Sequence, residues 1–153
     1  MEFNKERIIF LNKEEVTLEY AGEIAWKLYE LDSLSTEPII LVINSNGGYC
    51  EPILVAIKAL SSKLYTCGFC SVGNQAMQIL FAGNEVSIFR NSEFFGITDI
   101  DLVNKLKEKY NELSIETLKR EGLITNIFDT FYQFNTYWEL KNKEYEKSIK
   151  NIN

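Results

Sequence analysis

Five apolar residues, Ile39-Ile40-Leu41-Val42-Ile43, run without a break, and four of them are β-branched. Such a run bounded by turn residues predicts a strand buried on both faces. Pro38 opens it, where a missing N–H costs nothing, and Asn46-Gly47-Gly48 closes it with two residues free to turn sharply. A helical pattern follows, with Pro52 in its first turn and Ile53, Leu54, Ala56, Ile57 and Leu60 on its apolar side. Strand, glycine turn and helix together aim backbone N–H groups at a bound group, and the same geometry also serves as ordinary α/β punctuation.

The same alternation continues on either side. Arg7 to Leu11 predicts a first strand, and Thr17 caps a helix to about Leu31 whose Leu18, Ala21, Ala25, Leu28 and Leu31 face the sheet. Leu64 to Phe69 predicts the next strand, Cys70-Ser71-Val72-Gly73 a turn, and Asn74 the start of a buried helix running to Gly83. Glu85 to Phe89 alternates as a strand, and Glu93 to Ile97 is expected to pair back on it. Thr98 with Asp101 has capping-box spacing for a helix to Asn111, Ser114 begins a shorter helix stopped by Gly122, and Leu123 to Ile127 reads as a last strand. From Asp129 a long helix carries Phe131, Phe134, Trp138, Tyr145 and Ile149 near one stripe, with Tyr132 and Tyr137 beside it. Three strand–helix units in succession predict an α/β fold with right-handed crossovers and a largely parallel sheet.

Composition narrows the chemistry. The 153 residues carry a net charge of −6 and no basic run, which argues against nucleic acid as a partner. No run of eighteen apolar residues and no signal pattern is present, so neither a membrane nor export is expected, and three cysteines fit free thiols in a reducing cytoplasm. Cys67 and Cys70 form one CxxC; with no second pair and no histidine it argues against zinc, and no cofactor or metal is expected. The absence of histidine also excludes the usual Ser-His-Asp and Cys-His mechanisms, leaving Lys, Asp, Glu, Tyr or a terminus as any general base.

Four stretches in order resemble the Clp protease proteolytic subunit, a serine peptidase of the ClpP/crotonase-like fold: Glu6 to Leu11; Ile43-Asn44-Ser45-Asn46-Gly47-Gly48, similar to the family's INSPGG turn; Thr66 to Gly83; and Leu113 to Ile124. The resemblance spans residues 6 to 128. It implies a ClpP-like domain over residues 1–128, with residues 129–153 an added aromatic helix packed on that domain or at an oligomer contact. It further implies that the glycine turn, Gly47 and Gly48, supplies an oxyanion hole. The nucleophilic serine falls on Asn74, the histidine on Ile97 and the acid on Tyr110, none of which performs those roles. The family's long handle between histidine and acid is shortened here to Thr98–Glu112, too little to join two rings face to face.

These readings predict a catalytically inactive ClpP-like protein, a pseudoenzyme that forms a single ring or smaller closed homo-oligomer, or that binds a Clp peptidase or its unfoldase. The rivals are a hydrolase rebuilt around Ser71 or Cys70 and a crotonase-like acyl-thioester enzyme using the oxyanion turn. Asn74 has an ordinary role open to it as helix N-cap, and Cys67 and Cys70 as small apolar residues. The terminal aromatics are expected at a subunit contact, because the chain leaves little surface to receive so wide a stripe.

Overall fold

The apolar run near residue 40 becomes the hub of a six-stranded sheet in the computed structural model, which describes residues 5–96, 98–110 and 114–151. In chain order the elements are β1 (Ile8–Asn12), α1 (Leu18–Leu34), β2 (Ile39–Ser45), α2 (Glu51–Ala59), β3 (Leu64–Gly73), α3 (Ala76–Leu80), β4 (Glu85–Phe89), β5 (Glu93–Phe95), α4 (Asp101–Tyr110), α5 (Ile115–Arg120), β6 (Asn126–Phe128) and α6 (Phe131–Lys150). The strands lie in the order β1-β2-β3-β4-β6, with β5 paired to β3, and every pairing is parallel.

Why β2 reads as an unbroken apolar run is now plain. Its side chains alternate between faces: Ile39, Leu41 and Ile43 enter a core with α1 to α5, while Ile40 and Val42 enter a second core with Tyr65, Cys67, Phe128 and α6. Both faces are therefore covered, as a parallel sheet requires. Buried Arg7 locks the near end, donating to the carbonyls of Leu31, Ser35, Glu37 and Pro38 and to Ser62 Oγ, which ties β1 to the ends of α1 and α2.

Several expectations are corrected. Cys70 to Gly73 is a bulged continuation of β3, not a turn: Cys70 takes φ +69°, and Ser71, Val72 and Gly73 pair with β5. The β5 strand accordingly joins β3 in parallel and does not fold back on β4. In α1 the inward residues are Ala21, Ile24 and Leu28, while Leu18 in the first turn is exposed. The buried helix after Asn74 is short, ending at Leu80, and Thr98 Oγ1 accepts from Ile100 N–H at 3.3 Å without starting α4, which begins at Asp101. The aromatic stripe of α6 divides between core and surface, with Phe131 and Tyr132 exposed. Trp138 is fully buried and Phe134 and Tyr137 nearly so, against the outer face of the sheet, so much of the stripe is already covered within the chain.

Candidate functional site

The glycine turn after β2 is built by its backbone. Gly47 has φ +96° and Gly48 φ +130°, values that side chains with a Cβ rarely adopt. A Cβ on Gly48 would run into the Val16 carbonyl, because the segment before α1 lies tight against the turn. That segment uses up one edge: Asn46 N–H donates to Glu14 O at 2.8 Å, Val16 N–H to Gly47 O at 2.8 Å, and Tyr49 N–H to Val16 O at 2.9 Å. The turn and that segment together border a cleft of about 610 Å3 lined by Lys13, Glu14, Glu15, Asn46, Gly47, Gly48, Asn74 and Gln75.

Asn74 reaches this cleft because β3 ends beside the turn and the chain reverses there. Its φ of +48° is left-handed, which Asn tolerates better than most residues. Asn74 does not cap α3 through its side chain, as the sequence suggested. Its main chain does the local work, with N–H donating to Phe95 O at 3.0 Å and C=O accepting from Met77 N–H at 3.1 Å. The side chain instead donates from Nδ2 to Asn46 O at 2.9 Å and packs against Gly96, whose missing Cβ leaves the room.

Two donors of the turn are already taken. Gly47 N–H donates to Ser45 Oγ at 3.0 Å, and Gly48 N–H to Gln75 Oε1 at 3.2 Å. Gln75 is the residue that sequence reasoning missed. Its signal was position, a polar residue directly after Asn74 and before a helix that is apolar except for Gln78.

The structure thus brings Gly47, Gly48 and Asn74 together. Tyr110 is elsewhere, donating to Glu121 at 3.4 Å with Lys109 and Arg120 cations over its ring, and Ile97 lies outside the described residues. Ser71 and Cys70 do not line the cleft. Cys70 N–H donates to Ser92 Oγ at 3.0 Å, and among the described residues no lysine amine bonds to Ser71 or Cys70. All three cysteines are free. Burial pushes the Cys67 thiol far up and Cys50, at the head of α2, to about 11, so both are held as neutral thiols. Among the described residues no group of His, Cys, Asp and Glu is placed to hold a metal ion, and no helix is long and apolar enough to cross a membrane.

The comparisons agree with this frame. A family model described as Clp protease matches residues 1–98, which include the glycine turn and Asn74. No curated protein sequence matches the chain. Among solved structures, a ClpP1 point mutant from Listeria monocytogenes superposes with a TM-score of 0.66 at 19% identity, covering 82% of this chain and 92% of that one. The ClpP protease catalytic domain from Plasmodium falciparum gives 0.65 at 22% identity, covering 82% and 87%. The parallel α/β sheet described above is therefore similar in fold to ClpP.

Proposed function

Because this chain belongs to the Clp protease family, we propose that it is a non-hydrolytic member, acting as a subunit of a closed homo-oligomer or as a binding partner of a Clp peptidase or its unfoldase. The observation that carries this reading is Asn74. The resemblance puts the family's nucleophile at this position, and its amide is committed to Asn46 O. An amide is no nucleophile, and the chain has no histidine to serve as base. The turn that would stabilise an oxyanion is spoken for as well, by Ser45 and Gln75. A hydrolase rebuilt on Ser71 or Cys70 gains no support, since neither lines the cleft and, among the described residues, no lysine amine bonds to either.

Assembly is the part of the reading that the buried aromatics of α6 no longer carry. Exposed apolar residues remain for a contact, among them Phe10 beside Phe131, and Trp26 stacked on Tyr29 at 5.1 Å. The test has two arms. A fluorophosphonate probe and a fluorogenic peptide should give no labelling and no turnover; labelling of Ser71 that Ser71→Ala abolishes would end the non-hydrolytic reading. Native mass at micromolar concentration should give a closed oligomer, and a clean monomer that also fails to bind a Clp peptidase or unfoldase would end the assembly reading.

A further inference from the structure

Gln75 is an exposed side chain that folds back on its own protein. Its Oε1 takes the Gly48 N–H at 3.2 Å, on the floor of the cleft lined by Asn46, Asn74 and Lys13. The neighbouring turn donors are engaged by the main chain or by the turn's own serine: Asn46 and Tyr49 N–H go to Glu14 and Val16, and Gly47 N–H goes to Ser45 Oγ. Gly48 N–H differs from them: its acceptor is the Gln75 side chain, from across the cleft that both residues line.

We infer that Gln75 is a built-in plug on a latent carbonyl-oxygen site, and that the ligand it excludes is a neutral peptide amide. The chemistry of the plug identifies the ligand. A glutamine side chain is a primary amide, so the oxygen that Gly48 now holds has the same hybridisation and partial charge as a peptide carbonyl oxygen. A donor placed for one is placed for the other. The charge of the cleft selects between neutral and anionic oxygens: Lys13 stands against both Glu14 and Glu15, which disfavours a carboxylate. The volume of about 610 Å3 lies within the range of ordinary ligand pockets and leaves room beyond a single oxygen.

The plug is removable by side-chain rotation alone. The Gln75 bond is exposed and near the long end for N–H···O, whereas Asn74 is fixed by Nδ2 to Asn46 O at 2.9 Å and by its packing on Gly96. Gln75 therefore sets how often the site is open without altering the turn itself, and a peptide must displace it to bind. This rests on the non-hydrolytic reading of the protein.

The experiment follows the Gly48 amide resonance in the 15N-labelled full chain while acetyl-dialanine methylamide is added. Gln75→Ala frees the donor and should tighten the response of Gly48 about fivefold over the parent protein, the worth of one exposed hydrogen bond. Gln75→Glu should weaken it below the parent, since a carboxylate holds the N–H more strongly. Acetate should give no comparable gain in either variant. Equal peptide responses in the parent and both variants, no response in Gln75→Ala, or acetate binding better than peptide would each overturn the inference. If Gln75→Ala does not fold, the weakening in Gln75→Glu decides alone. Cleavage of the peptide during the titration would overturn the non-hydrolytic reading instead, so the two failures are distinguishable.

Discussion

The Tyr137 hydroxyl donates to the Glu85 carboxylate at 3.2 Å, joining the middle of α6 to the first residue of β4. One turn on, the Lys141 amine meets the same carboxylate at 2.5 Å and lies over the rings of Tyr65 and Tyr137. Burial lifts the Tyr137 hydroxyl well above the usual phenol range, and the Glu85 charge adds to it, so it stays a donor. Burial pulls Lys141 down, but its hydrogen bonds to Glu85 and Glu144 outweigh that and hold it above its ordinary value. These polar anchors flank Trp138 and fix how α6 lies across the sheet.

Trp138 is therefore a residue of the fold. Trp138→Ala should cost about 3–5 kcal/mol of stability, the usual range for emptying a buried aromatic site. Phe131→Ala, at a position 64% exposed, should cost under about 1 kcal/mol. Urea midpoints of the two variants make the comparison; equal shifts would mean that α6 does not seat on the sheet as described.

The contrast between α6 and β2 explains what the sequence could reveal. In β2 the signal was local, a β-branched run with a proline before it and glycines after it, and the strand appears over Ile39–Ser45. The long helix was legible too, but its receiver was not. Ile40, Val42, Tyr65, Cys67 and Phe128 come from three strands, and only the sheet order assembles them into one apolar face. Without that face the sequence leaves open whether the aromatic stripe packs on the domain or at a subunit contact. The Cys70 bulge was missed for a related reason: β3 leaves β4 after Gly68 and joins β5 at Ser71, a long-range pairing with no local pattern. In the cleft, Gly47, Gly48 and Asn74 were legible from their motifs, whereas the bond between Gln75 and Gly48 spans 27 positions and depends on a side-chain rotamer.

Two glycines should respond in opposite directions. Gly48→Ala combines a φ of +130° with a collision against the Val16 carbonyl, a backbone atom that cannot step aside, and should cost at least about 1–3 kcal/mol. Gly22 lies on the exposed face of α1 with open space around a Cβ, and Gly22→Ala should stabilise by roughly 0.5–1 kcal/mol. Thermal melts of the pair check this, and a harmless Gly48→Ala would contradict the described turn.

Asp32 gives the acid side of the stability curve. Burial alone would raise its carboxyl, but N–H donors of Ser61 and Ser62 and the charge of Arg7 outweigh it and bring the value below 3.8. A depressed carboxylate contributes stability that is present above its unfolded value and is lost as pH falls through the folded one. The parent protein should therefore lose stability below pH 3.8 more steeply than Asp32→Asn, while the variant is weaker at neutral pH. Denaturant midpoints at neutral pH and at several values below 3.8 test it; parallel curves would remove Asp32 from the account.

Restoring the family's nucleophile should cost stability without giving activity. Asn74→Ser removes the Nδ2 donor to Asn46 O and places a residue less suited to a φ of +48°, a loss of about 1 kcal/mol or somewhat more. The new hydroxyl would still lack the family's base and acid: the chain has no histidine, and Tyr110 is occupied with Glu121 away from the cleft. It would also face a turn whose Gly48 N–H is held by Gln75, so charge developing on a carbonyl oxygen finds that donor engaged. Adding Gln75→Ala to Asn74→Ser removes that obstacle and leaves the missing base as the limiting defect. Both variants should hydrolyse a fluorogenic peptide at the blank rate. A rate above blank in the double variant, abolished by a fluorophosphonate, would mean that some other group in the cleft takes the proton, and the protein would then be a dormant peptidase.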